Sequence, residues 1–136
     1  MQYINQSPPQ LKMISLYQSL NWGHYRYPEL LMTAYENSDY VVSAYTEVGE
    51  LVGIGRAITD KAFTVYFPDL LVHPDWQGRG IGSTIMKMML EKFNGYHNQV
   101  LVAEDERAKA FYKKCGFAVE ANALSIMRPF GEHREV

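Results

Sequence analysis

The 136-residue chain predicts an α/β (α+β) fold, a mixed and mostly antiparallel central sheet with helices on both faces. Two observations predict it. Three β-branched and aromatic runs, 40–46, 51–58 and 63–72, follow one another across turns too short for a parallel crossover, so they pair antiparallel. Downstream, an apolar helical pattern stands between two strand-like runs, and that strand–helix–strand unit has room to be parallel.

Residues 2–5 read as a short first strand, interrupted by Ser7-Pro8-Pro9. From 10 to 20, Leu11, Ile14, Tyr17 and Leu20 fall at the spacing of one helical face. Asn21-Trp22-Gly23-His24-Tyr25-Arg26-Tyr27 reads as an aromatic loop, and Pro28 suits the first position of a second helix ending near Asn37. Glu47-Val48-Gly49-Glu50 and Asp60-Lys61 turn the chain between the three central strands. Pro68 cannot donate to a ladder, so the third of these strands is bent there or loses a partner. His73-Pro74-Asp75-Trp76 is a loop. A third helix opens near Gly82, places Ile85, Met88, Met89 and Phe93 on one face, and stops before Gly95. Residues 99–103 read as a short buried strand, 106–115 as a fourth helix closed by Gly116, and 117–120 and 124–128 as late strands.

The length suits one domain spanning 1–136, and 47% hydrophobic with 21% charged residues is ordinary globular usage. A net charge of −2 leaves no basic footprint for nucleic acid. One cysteine, Cys115, forms no internal disulfide, and with four histidines it makes a poor zinc set, so no metal is expected. No apolar run approaches a bilayer span, and the opening MQYINQSPP lacks the charged and apolar parts of a signal peptide. The expectation is a cytoplasmic protein with no membrane partner.

Gln77-Gly78-Arg79-Gly80-Ile81-Gly82 lies between a predicted strand and a predicted helix. A helix's first turn exposes unpaired N–H groups and the positive end of its dipole, and glycines let a backbone approach an anion closely. Such a turn cradles a phosphate or pyrophosphate, with Arg79 adding a charged contact, or it only lets strand and helix pack closely. It is not a nucleotide P-loop, which needs a lysine followed by Ser or Thr, nor a dinucleotide fingerprint, since Ser83 stands where the last glycine belongs.

The run from Asp69 to Gly82 resembles the acyl-CoA site of the GNAT N-acetyltransferase superfamily: an apolar strand, Val72-His73-Pro74, then Gln77, Gly80 and Gly82 opening a helix. A second motif of that family is matched by Ala108, Phe111, Tyr112, Gly116 and Phe117. A weaker resemblance, through Asn21-Trp22-Gly23 and the tyrosines, is to arylalkylamine acetyltransferase-like members. The resemblance implies transfer of an acetyl group from acetyl-CoA to a primary amine of a small molecule, by direct attack in a ternary complex. Protein lysine or N-terminal acetylation and non-catalytic acyl-CoA binding are the alternatives. It implies splayed strands whose backbone groups at Leu70, Leu71 and Val72 hold the pantetheine arm and thioester, and a phosphate cradle of Gln77, Gly78, Arg79, Gly80, Ile81, Gly82 and Ser83. Asp105 stands where the family often has an asparagine contacting the cofactor, and an ionised carboxylate cannot donate as an amide does. The family is often dimeric, so a homodimer is an expectation.

The chemistry needs an amine stripped of its proton, a donor for the developing oxyanion and a proton for the leaving thiolate. Tyr112 is the candidate acid, since a phenol of pKa about 10 is protonated at neutral pH; packing on its helix is the other reading. Asp69, alone in an apolar segment, is the candidate to receive the amine's proton, directly or through water, or else it caps the bend at Pro68. His73 is an alternative base or an exposed loop residue. The resemblance also implies that Trp22, Tyr25 and Tyr27, between the first two helices, line the acceptor pocket; a hydrophobic lid or a dimer surface is the other reading.

Overall fold

In a computed structural model that describes residues 1–130, local chemistry sets most element ends. The chain runs β1 (Gln2–Ile4), α1 (Gln10–Ser19), a 3-10 turn (Gly23–Arg26), α2 (Pro28–Glu36), β2 (Tyr40–Tyr45), β3 (Leu51–Thr59), β4 (Thr64–Val72), a second 3-10 turn (Pro74–Trp76), α3 (Ile81–Lys92), β5 (Asn98–Val100) and α4 (Glu106–Lys114). Pro28 opens α2 at a position where its missing N–H has no helical partner to lose. Asn21, at φ 55, ends α1: its N–H reaches Gln18 O, and that of Trp22 reaches Tyr17 O. This left-handed closure folds the Trp22 ring back on Tyr17. The helical stripe of α1 is turned from the expected one, with Met13, Leu16 and Tyr17 buried and Leu11 83% exposed.

Contacts group the chain into two compact units, Met1–Val102 and Ala103–Val136. The first holds the sheet, in the order β1-β2-β3-β4-β5, antiparallel except for the parallel β4–β5 pair. On one face α3 sits so close that a Cβ on Gly53 would come within 2.9 Å of Ile81 Cγ2, and one on Gly55 within 2.7 Å of Ile85 Cγ2. On the other, Ile54 and Leu71 join Met13, Leu16, Tyr17, Leu31 and Tyr35 of α1 and α2 in a buried cluster.

Pro68 both bends β4 and costs it a partner. Arg56 pairs with Asp69 but Ile58 with Tyr66, so Phe67 and Pro68 together face the single residue Ala57, a β-bulge. The pairing with β5 ends at Tyr66 and Val100, just before the bulge. Because side chains alternate faces, the extra residue puts Phe67 against Phe93, at the end of α3, while Asp69 turns to α1 on the opposite face. The expected strand at 99–103 is thus shorter than predicted and half open, with Val100 36% exposed. Among the described residues this three-residue edge strand pairs only with β4.

The late strands at 117–120 and 124–128 are not formed. Those residues lack regular structure, turn at Ala123 N–H to Glu120 O, and leave Leu124, Ile126 and Met127 exposed. Alternating apolar residues make a strand only where a ladder satisfies the backbone, and none of the described ladders includes these residues. Residues 131–136 of the predicted domain span lie outside the described residues.

Candidate functional site

Beyond the bulge, β4 has β3 on one side only. His73 N–H donates to Val52 O, so the strand's hydrogen-bonded pairs are Val52 with His73, Ile54 with Leu71 and Arg56 with Asp69. Leu71 therefore directs its N–H and C=O to β3, and the groups that face the open side are those of Leu70 and Val72 alone. This narrows the predicted trio, in which Leu71 was included. The Val72 carbonyl accepts a hydrogen bond from Gln77 Nε2 at 3.0 Å, which ties the glycine turn to the strand's end.

Gly78 and Gly80 adopt φ 77 and φ 83, a region that L side chains rarely enter, and a Cβ on either would meet nothing within 4 Å. The space in front of the turn is open. Gly80 is the N-cap of α3 without any side-chain cap, and the first helical bond is Thr84 N–H to Gly80 O. The N–H groups of Ile81, Gly82 and Ser83 thus precede the helical ladder and point out of its positive end. The Arg79 guanidinium stands over the Trp76 ring at 4.6 Å, exposed beside the turn. His73 is occupied locally, its Nδ1 accepting from Asp75 N–H at 3.1 Å.

The bulge carries Asp69 into a buried polar chain that the sequence reading missed. Asp69 Oδ2 accepts from Arg56 Nε at 2.6 Å and from Tyr17 Oη at 3.1 Å, and Tyr17 Oη lies 2.6 Å from Tyr35 Oη. Arg56 also donates from Nη1 to Ser38 Oγ at 3.3 Å and lies over the Tyr35 ring. Burial, together with the charge of Asp69, raises the pKa of both phenols well above the ordinary range, so they stay protonated. A lone arginine in one apolar strand and a lone aspartate in the next was the available signal.

The aromatic loop packs on this chain. Trp22 and Tyr25 are partly buried against the α1–α2 cluster, and His24 lies 5.1 Å from the Tyr17 ring, centre to centre. Burial lowers the His24 pKa, with Asp69 opposing and Arg56 adding to the effect. Tyr27 stands between the 3-10 turn and α2 and is half-buried.

The family described as "Acetyltransferase (GNAT) domain" matches residues 11–124, across both units. The chain belongs to the GNAT acetyltransferase family. A GNAT-family acetyltransferase of Streptococcus pneumoniae superposes with a TM-score of 0.80 at 27% identity, covering 96% of this chain and 98% of that one. Serotonin N-acetyltransferase 2, chloroplastic, of Oryza sativa subsp. japonica is 31% identical over 82% of this chain and 58% of its own. Histone acetyltransferase TAP1 of Glycine max is 28% identical over 76% of this chain and 49% of its own. The chain spans about half the length of the curated relatives it matches.

The second GNAT motif lies in the second unit. Asp105 is the N-cap of α4, its carboxylate accepting from Ala108 N–H at 2.8 Å, so this side chain is engaged with its own helix. Tyr112 lies edge-to-face with Phe111 at 5.2 Å and with Phe117 at 5.9 Å. Gly116, at φ 108, closes the helix, with its N–H on Lys113 O and that of Phe117 on Tyr112 O. Partial burial pushes the Cys115 thiol up, away from the thiolate form a nucleophile needs. No helix among the described residues is long and apolar enough to cross a membrane, and no group of metal-ligating side chains occurs among them.

Proposed function

We propose that this GNAT chain transfers the acetyl group of acetyl-CoA to a primary amine of a small molecule. The observation that carries the reading is the open side of β4: outward Leu70 and Val72 groups run directly into a glycine turn with clear space before Gly78 and Gly80. An extended amide arm followed by a pyrophosphate fits that sequence of donors, first strand-like, then helix-terminal. In this reading Leu70 and Val72 bind the pantetheine arm and the thioester carbonyl, while Leu71 secures their strand to β3. Gly78, Arg79, Gly80 and the N–H groups of Ile81, Gly82 and Ser83 take the pyrophosphate, and Gln77 sets their distance from the strand. When bound, acetyl-CoA supplies an activated acyl group and a good leaving thiolate. The amine attacks the carbonyl, Asp69 accepts its proton directly or through water, and Tyr112 protonates the thiolate.

Trp22, Tyr25 and Tyr27 are assigned to the acceptor, and their rings favour an amine with an aromatic or cationic body. The name of the rice relative points the same way, while the soybean relative's name keeps a protein lysine as the second acceptor class. Asp105 drops out of the cofactor set, because its carboxylate caps α4. The cytoplasmic setting belongs to the same proposal, with the rice relative's chloroplast as the rival compartment.

The test is calorimetric titration with acetyl-CoA, followed by an amine screen of the protein and its Tyr112→Phe variant. Saturable 1:1 binding and turnover on a small amine are expected, with kcat down about 100-fold in the variant and acetyl-CoA affinity unchanged. Binding without turnover on small amines or lysine peptides favours an acyl-CoA-binding module, and no binding by folded protein overturns the reading.

A further inference from the structure

Asp69 presents its two carboxylate oxygens unequally. Oδ2 takes both available donors, the Arg56 Nε at 2.6 Å from β3 and the Tyr17 hydroxyl at 3.1 Å from α1. Oδ1 makes none of the hydrogen bonds found among the described residues. A free carboxylate turns about its terminal torsion and offers either oxygen. Here two donors from different elements converge on one oxygen and stop that rotation.

The donors are themselves held. An ionised carboxylate only accepts, so the single Tyr17 proton goes to Asp69, and the 2.6 Å bond between the tyrosines is donated by Tyr35. Arg56 is gripped at a second nitrogen by Ser38 Oγ, whose own proton goes to Ala34 O. Tyr17 and Tyr35 are almost wholly buried, at 0% and 2% exposure, and so is the ion pair they serve. Such an arrangement is more than the packing of β4 on α1 requires: a buried ion pair contributes little net stability by itself, and apolar residues would fill the same space.

We propose that Arg56, Tyr17 and Tyr35 are positioning residues that hold Asp69 with Oδ1 turned to the incoming acceptor, so that the site favours amines arriving as ammonium ions. This rests on the reading of Asp69 as the proton acceptor. The ammonium gives one proton to Oδ1, directly or through one water, leaving a neutral amine and a neutral carboxyl group. That proton then passes to solvent as the amine attacks. Arg56 balances the carboxylate charge before the acceptor binds, and the two phenols, held protonated by burial, donate without competing for the proton.

The experiment compares two acceptors at saturating acetyl-CoA near neutral pH: a primary arylalkylamine, which is a cation, and an aryl hydrazide, which is neutral. Tyr17→Phe keeps the ring and removes the donor, and is expected to lower kcat/KM for the cationic amine about tenfold. The hydrazide arrives without the extra proton and asks Asp69 for one transfer instead of two, so the same variant lowers its kcat/KM less, by about threefold, and leaves the acetyl-CoA affinity unchanged. Tyr35→Phe is the second variant, with a smaller loss of the same selectivity, and it carries the test alone if Tyr17→Phe does not fold. Equal losses on both acceptors, or no loss on either, overturn the positioning role while leaving acetyl transfer standing. A parent protein that acetylates neither probe overturns the transfer reading and this proposal together.

Discussion

On the face of β3 that meets α3, Gly53 and Gly55 carry no side chain, and Ile81, Ile85 and Met89 fill the space directly against the backbone. On the face that meets α1 and α2, the intervening residues Ile54 and Arg56 project instead, one into an apolar cluster and one onto Asp69. Adjacent residues of a single strand thus build two different interiors. The first fixes the helix whose free end follows the glycine turn, by contact alone. The second joins α1, α2, β3 and β4 by directed hydrogen bonds, and it is the only one that places a charge. An interior held by apolar contact alone and one that adds directed hydrogen bonds to its apolar contacts are separated by the thickness of one sheet.

The sharpest way to break this comparison is Arg56→Ala. It leaves the Asp69 carboxylate buried without its cation, a situation that costs about 3–5 kcal/mol. Urea unfolding measures it. A loss below about 1 kcal/mol would mean that Asp69 finds water readily, and that the polar face is less closed than its geometry implies. Next in size is Gly55→Ala on the opposite face. The added methyl meets Ile85 and Met89 at under 3 Å, and the helix must shift or the side chains must leave their rotamers, at about 1–3 kcal/mol. A neutral result would show that α3 rides on β3 loosely, against the contrast drawn here.

The smallest effect sharpens the comparison by lying on neither face. Asp60, in the turn between β3 and β4, accepts from the N–H groups of Thr64, Ala62 and Phe63, which lower its pKa. A depressed carboxylate contributes stability above its unfolded pKa of about 3.9 and loses it as pH falls through the folded value. The stability gap between the parent protein and Asp60→Asn should therefore be largest above about pH 5 and close as the solution is acidified. A gap independent of pH would assign these hydrogen bonds no electrostatic part.

What could be read from the sequence was what neighbours along the chain decide. Pro28 marks a helix start, Gly116 a helix end and Pro68 a broken ladder because each acts through its own backbone. The glycine turn was legible for the same reason, together with its place between a strand and a helix. The Arg56–Asp69 pair was not, since it depends on a register that the bulge itself shifts by one residue. The resemblance groups Leu71 with Leu70 and Val72, although only alternate residues of the strand face the open side. Asn21 was taken for loop, while its left-handed turn is what brings Trp22 onto Tyr17. For 117–120 and 124–128 the sequence offers a strand-like composition, and composition supplies no partner.

The bulge at Phe67 and Pro68 makes β4 a strand with two phases, and this bears on which genetic changes it can absorb. A substitution at either position alters a side chain but keeps the count, so the residues downstream still face as they do. Removal of one would leave a single residue opposite Ala57 and a regular ladder, with Ile58 still opposite Tyr66 and Arg56 still opposite Asp69. What such a deletion takes away is the local bend, so this short stretch tolerates a change of length better than the strand on either side of it.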